Sequence, residues 1–216
     1  MRVLSDNDYS LFERLVSLSQ KEIHKAMAQY LKSKYDNVIF TRDYLVAIGD
    51  IPIALIAHMD TVYKTPVSNL YYDRKKGVLW SPEGLGADDR AGIFAILKII
   101  QSGLRPCIIF TTDEEKGGLG AMALAINDCP IQNLKYMIQL DRRGSNDCVF
   151  YDCYCPEFVD YVESFGFCER HGSFSDISFL MPEWQVCGVN LKTNTAIQKL
   201  FISGLFLTLF KKLSKC

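Results

Sequence analysis

Three uninterrupted apolar runs constrain this chain more than anything else in its sequence: Ile51–Ala57 (IPIALIA), Pro106–Thr112 (PCIIFTT) and Leu134–Leu140, which ends in YMIQL. Successive side chains of a strand point to opposite faces, so a half-exposed strand alternates apolar and polar residues. A run that is apolar at nearly every position has both faces covered, as in the central strands of a parallel sheet. Between the runs lie helical patterns. Asp89–Gln101 predicts a helix closing near Gly103, and Gly120–Asn127 a short one. Asp8–Lys34 predicts one long helix, with Phe12, Leu15, Val16, Ile23, Met27 and Leu31 at helical spacings. Val38–Phe40 and Tyr44–Ile48 predict two strands around the polar Thr41–Asp43. Strands alternating with helices predict a layered α/β fold with a mostly parallel sheet. With 216 residues and no repeat or linker, residues 1–190 are expected to form a single domain, followed by a divergent tail at 191–216.

Charge excludes some functions. Lys plus Arg number 24 and Asp plus Glu 25, a net charge of -1, which is not the basic excess of a nucleic-acid binder. The start, MRVLSDNDYS, lacks a signal-peptide pattern, so the eight cysteines predict reduced thiols in a cytoplasmic protein. Cys148, Cys153 and Cys155 have no second pair at zinc-ribbon spacing and are expected to be structural. No apolar run reaches the ~18 residues that span a bilayer. The longest, Leu200–Phe210, is interrupted by Ser203, Gly204 and Thr208 and predicts a packed helix, so no membrane partner is expected.

Each apolar run leads directly into charged residues. IPIALIA leads to His58 and Asp60, CIIFTT to Asp113, Glu114 and Glu115, and YMIQL to Asp141. Sites in open α/β sheets collect at the carboxyl ends of strands. Charges abutting core strands need partners, and a metal ion is a usual one. In H-x-D, residues two apart share a side of an extended chain, so one can bind a metal while the other orients the imidazole. By itself that pair is common in surface loops. GADDRAG at 86–92 opens a helix; helix capping explains one of its aspartates but not two. TDEEKGG at 112–118 is the most specific segment, since one glutamate can ligate a metal while the other takes a proton. Asp141 closes the set, in QLDRRGSND; the plainer alternative is a strand-end ion pair with Arg142 or Arg143.

AHMDTV at 57–62, GADDRAG, TDEEKGG and Asp141, in that order, resemble the co-catalytic zinc exopeptidases, which include tripeptidase T, aminoacylase-like carboxypeptidases and zinc aminopeptidases. The resemblance covers roughly residues 50–145. It implies a three-layer α/β sandwich with a central mixed, mostly parallel sheet. It implies hydrolysis of a peptide or related amide bond by metal-activated water, on a small peptide or N-acylated amino acid. It assigns Asp88 as a bridge between two Zn²⁺ ions, His58 and Asp141 to one metal, Glu115 to the other, Glu114 as general base and Asp60 as support for His58. Mn²⁺ or Co²⁺ also suits such donors.

The chain departs from that pattern near its C-terminus. Relatives carry a further histidine there, whereas this sequence has none after His171. His24 is expected to be a surface or packing residue, and His171 a loop or substrate-pocket residue. The second metal is left with Asp88 and Glu115, which hold zinc poorly without a third ligand. Two readings stay open: an active exopeptidase whose second ion is weakly held, and a catalytically impaired remnant of the same fold. After about Leu191 the composition turns Lys- and Leu-rich without acids, which fits either a shifted reading frame or a naturally diverged tail. The 74 residues between Asp141 and Cys216 leave no room for a lid domain. Arg142, Arg143 and Arg170 are candidates to hold a terminal carboxylate, or are surface ion-pair residues.

Overall fold

The computed structural model describes residues 4–142, 146–151 and 155–192. In chain order the elements are α1 (Asp6–Val16), α2 (Gln20–Lys32), β1 (Asn37–Phe40), β2 (Tyr44–Ile48), β3 (Ile51–His58), β4 (Tyr71–Asp73), β5 (Val78–Trp80), α3 (Ala87–Gln101), β6 (Pro106–Thr111), α4 (Leu119–Ala125), β7 (Tyr136–Arg142), β8 (Asp147–Val149), α5 (Pro156–Glu163), β9 (Cys168–Glu169), α6 (Asp176–Trp184) and β10 (Cys187–Lys192), with a 3-10 turn at Glu114–Lys116. Eight strands form one mixed sheet in the order β1-β2-β6-β3-β7-β10-β8-β9. The core of that sheet, β6-β3-β7-β10, is parallel throughout, and β4 and β5 form a separate hairpin.

The three apolar runs are the strands β3, β6 and β7, and alternation within them sorts the core into two layers. Ile53, Leu55, Ala57, Ile108, Phe110, Ile138 and Leu140 face α1, α2, α3 and α5. Ala54, Ile56, Cys107, Ile109 and Met137 face α4 and α6. Helices therefore cover both faces, which gives the three-layer sandwich and explains why these strands show no polar alternation. Burial of each such aliphatic side chain contributes about 1.5–3 kcal/mol, which fixes the register, since a one-residue slip would exchange the two faces.

The predicted helix over Asp8–Lys34 is two helices. All six residues of its apolar stripe are buried, but the chain breaks at Ser17–Ser19. The Ser19 hydroxyl accepts the Glu22 amide while the Glu22 carboxylate accepts the Ser19 amide, a reciprocal cap that starts a new helix and defeats a reading by periodicity alone. Among the described residues no helix is long and apolar enough to cross a membrane, and six cysteines are free thiols. Arg143, Cys153, the run Leu200–Phe210 and the tail from residue 193 lie outside the described residues.

Candidate metal centre

The parallel strands deliver their carboxyl ends to one edge of the sheet. His58, the last residue of β3, is level with Thr111 at the end of β6. Ile56 is level with Gln139 on β7, which brings His58 level with Asp141 two residues on. The His58 Nε2 lies 3.1 Å from Asp88 Oδ1 and 3.6 Å from Asp141 Oδ1, and its Nδ1 lies 3.2 Å from Asp60 Oδ1. His58, Asp88 and Asp141 each offer a ligand atom within 4.8 Å of the other two. The His58 side chain is 1% exposed and that of Asp88 71%, so the set is rooted in the core and opens to water at Asp88.

The doubled aspartate divides into two roles. Asp88 (φ -88°, ψ 107°) and Asp89 (φ -112°, ψ 40°) are not helical, so the regular turns of α3 begin after them. The Asp89 carboxylate accepts the Gly92 amide at 2.9 Å, an N-cap bond that occupies the buried aspartate and leaves Asp88 to turn toward His58. Gly92 is required for this: a Cβ there would stand 2.4 Å from both Asp89 carboxylate oxygens.

Asp60 ties two motifs together. Its Oδ1 accepts the Glu114 amide and its Oδ2 the Glu115 amide, each at 3.0 Å. Burial alone would raise its pKa, but His58 and these two amides lower it, so Asp60 stays ionised behind the imidazole. Burial likewise opposes a charge on His58, yet Asp141, Asp60 and Asp88 raise its pKa well above the ordinary value. These carboxylates demand a cation, and a protonated imidazole supplies one.

Glu114 is buried, and its pKa is pushed up to about 8, by burial first and then by Asp141, Asp176 and Glu115 against the opposing His58. Glu115 is exposed and stands outside the three-donor set. The left-handed turn that presents both glutamates uses Asp113 (φ 55°), Gly117 (φ 96°) and Gly118 (φ 72°). At Gly118 a Cβ would also meet the Phe179 ring at 2.4 Å.

Three residues to which the sequence analysis gave no role hold Asp141. Ser175 donates its hydroxyl to Asp141 Oδ2 at 2.6 Å, Gln139 Nε2 donates to the same oxygen at 3.2 Å, and the Asp141 amide donates to Asn190 Oδ1 at 3.1 Å. Next to Ser175, Asp176 is wholly buried, accepts the Thr111 hydroxyl, and has its pKa pushed up to about 7 by burial. A glutamine inside an apolar strand and a Ser-Asp pair before an apolar helix were the available signals. His24 stacks on Phe40 with ring centroids 4.9 Å apart, a packing role. His171 is exposed and lines a smaller cleft of about 590 Å³ together with Tyr151 and Arg170.

This centre coincides with a family match. Residues 37–154, more than half of the chain, match the model of peptidase family M28. The chain belongs to peptidase family M28. Members of this family are typically zinc-dependent, and one imidazole nitrogen with two carboxylate oxygens is a donor set that fits Zn²⁺.

The M28 chain shares its fold with solved structures of low identity. A leucine aminopeptidase precursor from Bacteroides thetaiotaomicron is 18% identical, with 88% of this chain covering 85% of that one at a TM-score of 0.60. Porphyromonas gingivalis glutaminyl cyclase is 14% identical, with coverages of 88% and 84% and a TM-score of 0.58. A Staphylococcus aureus tripeptidase is 22% identical over 68% of this chain, at a TM-score of 0.51. The chain spans only 46% of that tripeptidase. No curated protein sequence matches the chain.

Proposed function

We propose that this M28 chain is a zinc-dependent exopeptidase, with His58, Asp88 and Asp141 holding one ion, Asp88 and Glu115 a second, and Glu114 acting as general base. The observation that carries this reading is the convergence of His58, Asp88 and Asp141 within 4.8 Å beside the buried Glu114. Zinc, when bound, supplies a Lewis acid that polarises the scissile carbonyl and stabilises the developing oxyanion. The chain's own residues do the rest. Asp60 fixes the imidazole tautomer through Nδ1, so that Nε2 points at the donor set. Ser175 and Gln139 aim Asp141. Glu114, buried beside the donor set, accepts a proton from the attacking water and returns it to the leaving amine. Aminopeptidase and tripeptidase activities in structural neighbours support a free N-terminus as the recognised end.

A second reading rests on the position of Glu115 outside the three-donor set and of His24 and His171 away from it. In that reading the chain keeps one metal and little or no turnover. Metal analysis of the purified protein, together with a screen of short peptides blocked at either end, tests both. About two zinc ions per chain with hydrolysis of N-terminally free peptides supports the exopeptidase. One ion or none without hydrolysis of any peptide supports the remnant.

A further inference from the structure

Beside the donor set opens a cleft of about 1180 Å³, whose wall includes Asp60 and Glu115. This exceeds the roughly 300–1,000 Å³ that hold a drug-sized ligand, and it has room for several residues of a peptide. Its charge is opposite to that of the centre. The helix α2 turns Gln20, Lys21, His24 and Lys25 toward it, a stripe at i, i+1, i+4 and i+5, while Ile23, Met27 and Leu31 enter the core. Arg42 from the β1–β2 turn and Lys64 from the loop after β3 line it too.

The lining acids do not neutralise these cations. Asp113 pairs with Lys116 at 2.8 Å, and Asp60 is engaged by His58 and two amides. Among the described residues Lys21, Lys25, Arg42 and Lys64 make no ion pair, and only Asp43 and Glu115 remain against them on the cleft wall. Arg90 also lines the cleft. It is 3% exposed, and although its Nη2 donates to the Leu18 carbonyl at 3.0 Å, its Nε and Nη1 have no hydrogen-bond partner. A chain of net charge -1 thus gathers unpaired cations along a large cleft that adjoins its candidate centre.

We infer that this cleft selects peptides carrying carboxylates downstream of the residue at the metal centre, with Lys21, Lys25, Arg42 and Lys64 as specificity-determining residues. The inference rests on the exopeptidase reading for the position of the scissile bond, but not for binding. An acidic centre next to a basic cleft suits a substrate with its ammonium at one end and carboxylates beyond. Those carboxylates belong either to acidic side chains or to the peptide's own C-terminus.

The test uses the full chain with zinc and three fluorescently labelled pentapeptides, Leu-Ala-Glu-Glu-Ala, Leu-Ala-Gln-Gln-Ala and Leu-Ala-Lys-Lys-Ala, each with a free or amidated C-terminus. Binding is read by fluorescence polarisation and cleavage by chromatography. The Glu peptide is expected to bind at least fivefold tighter than the Gln peptide at low salt, with most of the difference lost at 0.5 M salt. The double variant Lys21→Glu/Lys25→Glu should remove the preference while changing binding of the amidated Gln peptide no more than about twofold. If the Glu-over-Gln preference persists on amidation, the side chains are the recognised group; if the Glu and Gln peptides bind alike and both lose at least fivefold on amidation, the C-terminal carboxylate is. Equal binding of the Glu and Gln peptides with no loss on amidation, or a double variant that leaves the charge-dependent differences in place, overturns the inference even where peptides are cleaved. Selective binding of the Glu peptide without cleavage of any peptide upholds it and overturns the exopeptidase reading instead.

Discussion

The Ser175 hydroxyl donates to Asp141 Oδ2 at 2.6 Å, tying the start of α6 to the end of β7 across 34 residues of sequence. Asp141 is otherwise aimed by Gln139, which also accepts the Ile177 amide at 2.8 Å, so the helix and the strand clasp each other around one carboxylate. Ser175→Ala leaves Asp141 with one side-chain donor and greater freedom to rotate. Zinc affinity is expected to fall about tenfold, the lower end of the effect of outer partners of metal ligands, with the fold intact. Titration against a competing chelator measures this, and an unchanged affinity removes Ser175 from the support of the centre.

Glu114→Gln keeps the side-chain shape and the Asp60-held amide but cannot take a proton. Hydrolysis is expected to fall ~10²–10⁴-fold, with metal content and melting temperature preserved. Turnover equal to that of the parent chain would exclude Glu114 as the base.

Asp88→Ala and Glu115→Ala separate the proposed sites. Asp88 belongs to the three-donor set, so its loss is expected to deplete bound zinc throughout, whereas loss of Glu115 depletes only the second ion. Zinc content by atomic emission after dialysis decides. Retention of metal by Asp88→Ala with full loss in Glu115→Ala reverses the assignment.

Much of this was legible in the sequence because burial writes itself plainly. Ile51–Ala57 has both faces covered, so it is apolar throughout, and the abrupt change to His58 and Asp60 marks where the sheet meets the site. Ser175 and Asn190 left no comparable mark: each is one polar residue in an ordinary context, and only the parallel pairing of β10 with β7 brings Asn190 to Asp141. The break at Ser17–Ser19 was hidden for the opposite reason, since the apolar stripe continues across it while a local cap ends the helix.

Gly92→Ala tests the division between Asp88 and Asp89. The added methyl would meet both oxygens of the Asp89 carboxylate, which must leave its N-cap position in a buried setting. A loss of about 1–3 kcal/mol of stability is expected from the missing cap and the overpacking together. Urea denaturation measures it, and the variant should also bind zinc more weakly, because Asp88 is held by the same turn. A variant as stable as the parent would show that Asp89 is not the cap.

The metal-free protein should lose stability as pH rises from 5.5 to 8. Glu114 goes from an ordinary 4.5 to about 8 on folding, and Asp176 from 3.8 to about 7. In both, the folded state holds a proton that the unfolded state releases, so their favourable contribution is complete below the unfolded value and disappears as pH passes the folded one. His58 acts in the same direction: its folded pKa lies well above 6.5, and the stability of its ionised contacts with Asp141, Asp60 and Asp88 is lost as the ring deprotonates. Asp60 and Asp88, whose values are lowered from 3.8, contribute fully above that pH and do not change across this window. His24, lowered by burial, opposes the trend as a single half-buried ring. The melting temperature in a chelator is therefore expected to be lower at pH 8 than at pH 5.5. Zinc reverses the order, because the ion competes with the protons that the cluster holds and binds more tightly as they leave. A metal-free protein that gains stability between pH 5.5 and 8 would show that the cluster around His58 does not hold those protons.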